Sequence, residues 1–132
     1  MTYSGRAADS YFQTQVKSST PLERVVMLYD AAIRFAGVAN EAMITRDIPT
    51  RRAAMSRTMA VVSELQSSLN MEQGGAVAEE LDRLYTWMTD RLVEATIKQD
   101  PAPLQEVRKI LEVLRSAWHE IATRPAAPVS AA

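Results

Sequence analysis

The segment Thr20–Phe35, TPLERVVMLYDAAIRF, does most to limit what this chain can fold into. Thr20 is suited to cap free backbone N–H groups, and Glu23 stands three residues on as its capping-box partner. Pro21 fits the first helical position, where its missing N–H costs nothing. The helix that follows is apolar around most of its circumference, whereas a surface helix needs only one apolar stripe. It must therefore lie at the centre of a bundle or share surface with a partner.

Three further helices follow from caps and periods. Asp47 caps a turn containing Pro49, after which Met55, Val62, Leu65 and Leu69 keep a helical seam. The run Asn70-Met71-Glu72-Gln73-Gly74-Gly75 reads as a loop. The third helix places Val77, Leu81, Leu84, Met88, Leu92 and Ala95 on one face. Asp100-Pro101 repeats the cap-plus-proline start, and Leu104, Val107, Leu111, Leu114, Trp118 and Ile121 form the fourth seam. Short connections predict an all-α, antiparallel, up-down-up-down four-helix bundle over 20–123. Residues 1–19 read as a flexible arm and 124–132 as a disordered tail. Tyr11, Phe12 and Val16 of the arm are apolar enough to fold back onto the bundle.

The chain's 132 residues suit one domain, and 15 basic against 16 acidic residues leave a net charge of −1. No global field attracts a polyanion, so nucleic-acid binding is not expected. Cysteine is absent, which removes thiolate metal sites and thiol catalysis and agrees with a reducing, cytoplasmic setting. A polar N-terminus and the lack of a long apolar run argue against a signal peptide or membrane insertion.

Catalytic chemistry is hard to find. A di-metal bundle needs a Glu-x-x-His from each of two helices, but the single His119 has Ser116 three residues before it. No catalytic, cofactor-binding or metal residue, and no small-molecule substrate, is expected. The runner-up class is a histidine-phosphotransfer bundle acting through His119, or another adaptor of the same shape. His119 sits in the last turns of its helix, where a solvated histidine complements the helix dipole. Arg46, Arg51, Arg52 and Arg57 form a basic cluster with no aromatic interleaved, which reads as a solvated face. Asp30 and Arg34, four apart, read as a surface pair.

Some apolar residues fall off these seams. Met27 lies in the polar stripe of helix one, Val61 beside the seam of helix two, Trp87 among charged residues of helix three and Val113 among those of helix four. With Tyr11 from the arm, they are the expected partner-binding residues, since thioethers adapt and aromatics supply contact area.

The residues Thr20-Pro21, then Met27-Leu28-Tyr29-Asp30-Ala31-Ala32-Ile33, the Gly74-Gly75 loop, Leu81-Asp82-Arg83-Leu84-Tyr85 and Ala117-Trp118 resemble the bacterial flagellin export chaperone family, FliS. Ala31 stands where that family often has glycine, Gln73 where lysine is frequent, and Trp87 where tyrosine is usual. The resemblance implies a non-enzymatic antiparallel bundle that binds newly made flagellin in the cytosol. It further implies that the bundle holds flagellin's filament-forming C-terminal segment, and that it helps deliver subunits to the flagellar type III export gate.

Overall fold

A computed structural model describes residues 19–124, and the expected arm residues Tyr11, Phe12 and Val16 and most of the tail lie outside them. Four helices fill the described chain: α1 Pro21–Thr45, α2 Ile48–Ser67, α3 Met71–Lys98 and α4 Pro101–Thr123. They run up, down, up and down, as the short connections require.

Each start is fixed by local chemistry. The Glu23 N–H donates to Thr20 Oγ1 at 3.1 Å, and the Thr20 N–H donates back to Glu23 Oε1 at 2.9 Å. Asp47 Oδ1 accepts from the Thr50 N–H, and Asp100 Oδ1 from the Ala102 N–H. Two helices end in left-handed residues, Arg46 and Gln99, which reverse the chain within two residues.

The Asn70–Gly75 stretch departs from the expected loop. Asn70 caps a helical turn from Met71 to Gly74, and the break falls at Gly75 alone, with φ 53° and ψ −131°. Such angles are open to glycine and costly for other residues. The helix resumes at once, so α3 carries a kinked first turn.

Around the bundle α1 neighbours α2 and α4, α3 also neighbours α2 and α4, and α1 lies diagonally across from α3. The seams of α1 are the closest packed. The cause is a row of small residues, Ala32, Ala36 and Ala39, each sealed from solvent. At four- and three-residue steps they let neighbouring helices approach with little side chain between. Met55, Val62 and Leu65 of α2, Tyr85, Met88 and Leu92 of α3, and Leu104, Val107 and Leu111 of α4 complete the core.

Two residues expected on buried seams are exposed. Val77 stands just after the Gly75 break, and Ile121 lies one turn from the end of α4. Both stand at helix ends, and Val77 borders an apolar depression with Val25, Leu69 and Trp118. Asp30 also differs from expectation: it accepts from Arg115 of α4 at 2.8 Å rather than pairing with Arg34. On the other side, Gln66 Nε2 of α2 donates to Asp82 Oδ1 and Thr86 Oγ1 of α3.

Candidate functional site

The bundle leaves an apolar trough at the end where α1 begins and α2 finishes. One part, about 410 Å³, is walled by Val25, Met27 and Leu28 of α1 and by Glu64 and Ser68 of α2. A second, about 190 Å³, lies beneath the kinked start of α3 among Leu69, Leu81, Tyr85 and Trp118. Val25 and Ser68 border both, so they form one continuous surface.

Three local features shape it. The apolar surplus of α1 supplies Val25 and Leu28, which pack partly on the core and partly face outward. The turn Ser68–Asn70 ends α2 before it covers Leu81. Gly74 then folds in close, since a Cβ there would meet the Ala78 Cβ at 2.6 Å. A larger residue at 74 would push the first turn of α3 off the trough.

The expected partner residues divide among the helices. Met27 is half-buried and forms a wall of the trough. It also borders a second depression with Glu23, Arg115 and His119. Trp87 is 36% exposed on α3 and Val113 65% exposed on α4. Val61 is half-buried and packs against the core. Neither depression around Met27 includes Val61, Trp87 or Val113. The trough's other walls were missed because Leu69, Leu81 and Trp118 keep core spacing. Their position at the open end of the bundle is what leaves them accessible.

Electrostatics add shape rather than reactivity. The Thr20 backbone N–H, then its side chain, hold the fully exposed Glu23 carboxyl below its ordinary range. The Tyr29 and Tyr85 hydroxyls meet inside the core, and burial pushes both phenols upward. His119 is exposed, and its backbone carbonyl accepts from Thr123 Oγ1. Among the described residues no helix is long and apolar enough to cross a membrane. The surface around the trough is thus suited to holding an apolar chain.

The family model for flagellar protein FliS matches residues 4–125. The flagellar secretion chaperone FliSB of Pseudomonas aeruginosa is 31% identical, over 90% of this chain and 98% of that protein. The flagellar secretion chaperone FliS of Campylobacter jejuni is 33% identical, over 87% of this chain and 90% of its own length. That of Vibrio cholerae is 32% identical, over 82% and 79%. These relatives are named as chaperones, and the residues matched include every helix described above. This chain belongs to the flagellar protein FliS family.

Proposed function

We propose that this chain is a cytoplasmic export chaperone for flagellin. It binds the disordered C-terminal segment of flagellin, prevents early polymerisation and assists delivery to the flagellar type III export apparatus. The observation that carries this reading is the continuous apolar trough on a chaperone-family bundle. A segment without structure of its own gains most by laying apolar side chains along such a surface and folding there. Ordering that segment costs roughly 2–5 kcal/mol, so contacts beyond the trough are needed. Trp87 and Val113 offer them on α3 and α4, with Met27 at the trough itself and Val61 and Tyr11 completing the proposed set. Binding and release consume no covalent chemistry, so the protein acts as a holder and not as an enzyme.

The test is a titration of the full chain with a peptide of about 40 C-terminal flagellin residues, long enough for several helical turns. Saturable binding, a gain in helical circular dichroism and a negative heat-capacity change are expected. Absence of binding, or binding with no gain in helix, overturns the reading.

A further inference from the structure

Nine of the described arginines divide by what they meet, while Arg24 of α1 donates to the Ser19 carbonyl and Arg83 of α3 enters no ion pair. On α4 and its seams, Arg91, Arg108, Arg115 and Arg124 each meet a carboxylate. Arg34, Arg46, Arg51, Arg52 and Arg57, on α1, α2 and their connection, enter none of the ion pairs among the described residues. Helix α2 itself holds three arginines against a single acid, Glu64. Nearby acids are already occupied: Asp30 faces Arg115, and Asp47 caps α2. Among the described residues, Glu41 of α1 and Glu64 of α2 are exposed carboxylates that enter no ion pair.

Two of these arginines share one aromatic ring. The Arg34 guanidinium lies 5.1 Å from the Phe35 ring centre and that of Arg57 lies 5.6 Å away. Each is within the range of cation–π attraction, and neither enters an ion pair among the described residues. The sequence shows no aromatic within the basic cluster. The fold supplies one from the neighbouring helix.

Beside this ring runs an open groove of about 400 Å³ floored by Val38, Pro49, Ala53 and Ala54. Its small side chains leave a shallow apolar channel between α1 and α2. We propose that this face is a second docking surface, which takes an acidic amphipathic segment of another protein. The partner's apolar side chains lie on Val38, Pro49 and Ala53, and its carboxylates reach Arg34 and Arg57. Charge complementarity sets the sign of the partner. The carbon floor sets its amphipathic character, because it offers almost no hydrogen-bonding groups to read a base or a headgroup. Surplus cations with an apolar channel speed encounter and fix orientation more than they raise affinity, so the contact is salt-sensitive.

The proposal stands apart from flagellin capture, and its test contains no flagellin. The probe is a fluorescein-labelled peptide of about 18 residues, five helical turns, with leucines at three- and four-residue steps and glutamates elsewhere. Anisotropy with the full chain at about 50 mM salt should show saturable binding that weakens steeply toward about 500 mM. The double variant Arg34→Glu/Arg57→Glu should weaken it at least about tenfold, since each reversal replaces an attraction by a repulsion of similar size. Both side chains are exposed, and unchanged circular dichroism and melting temperature will show that the variant folds. Arg83→Glu/Lys109→Glu makes the same change in net charge on α3 and α4 and should alter affinity less than about twofold. Equal losses in the two double variants would mean a nonspecific field and overturn the proposal. So would tighter binding of a lysine-for-glutamate version of the peptide. Preferential binding of a single-stranded oligothymidylate, or of phosphatidylcholine–phosphatidylserine vesicles, abolished by Arg34→Glu/Arg57→Glu, would assign the face to another class of partner and equally overturn it.

Discussion

The hydroxyls of Tyr29 and Tyr85 lie 2.5 Å apart at the centre of the bundle, with both rings sealed from solvent. They join α1 to α3 across the diagonal, where the helices otherwise scarcely touch. Removing one hydroxyl strands the other in the core, which costs about 1–3 kcal/mol. Tyr29→Phe and Tyr85→Phe should each lower stability by that amount in urea unfolding. The double variant should lose less than the sum, because no orphan remains.

The same pair makes stability depend on alkali. Burial, first of all, raises the Tyr85 phenol far above its ordinary 10.0, and burial raises that of Tyr29 as well. In the unfolded chain both ionise near pH 10, so their contribution is complete below that pH and declines as pH climbs past it. Melting temperature should therefore fall above about pH 10, and fall less steeply in Tyr29→Phe/Tyr85→Phe. Phenolate absorbance at high pH supplies a second measure, since the buried pair should ionise only with unfolding.

Asp30 and Arg115 bind α1 to α4 through a partly exposed contact. Exposed pairs are worth about 0.2–1 kcal/mol and weaken with salt. Asp30→Asn should lower stability within that range at low ionic strength and by almost nothing in about 0.5 M salt. Arg34→Gln should shift thermal melting equally at both, since Arg34 meets the Phe35 ring and no acid among the described residues.

Gly75 holds a backbone conformation that a β-carbon opposes. Gly75→Ala should cost about 1–3 kcal/mol unless the kink straightens. Should α3 straighten instead, its first turn would leave the trough, and flagellin-peptide affinity would drop while helical content rose. Calorimetric melting and peptide titration on one sample distinguish the two results.

Trp87 and Met27 test the proposed cargo surface in different ways. Trp87 is over a third exposed and lies outside the buried core. Its replacement by alanine should weaken flagellin-peptide capture more than it lowers the melting temperature. Equal losses would place Trp87 in the fold rather than at the contact. Met27→Ala, at the trough, should reduce both, with a stability loss below the 2–5 kcal/mol of a fully buried methionine.

Helix starts at Thr20, Asp47 and Asp100 were legible because a cap is decided by a few adjacent residues. The turn at Met71–Gly74 was not, since two glycines together read as one long break while only Gly75 needs a glycine's angles. Periodicity located the buried seams through the middle of the bundle and failed at Val77 and Ile121. A period reports which side a residue faces, not how far its neighbour extends. The partner of Asp30 sits 85 residues away and leaves no local mark. For the candidate site, Met27 stood out as an apolar residue in a polar stripe. Leu69, Leu81 and Trp118 were hidden by core-like spacing, and the ring between Arg34 and Arg57 by lying on a different helix from most of the arginines.

The alanine row of α1 has a mechanical result. Helices drawn so close act as a stiff keel, and α1 opens to solvent only when the whole molecule does. The longest helix, α3, lacks such a row and is gripped less firmly along its sides. In hydrogen exchange its amides should be the first to open while the keel stays protected.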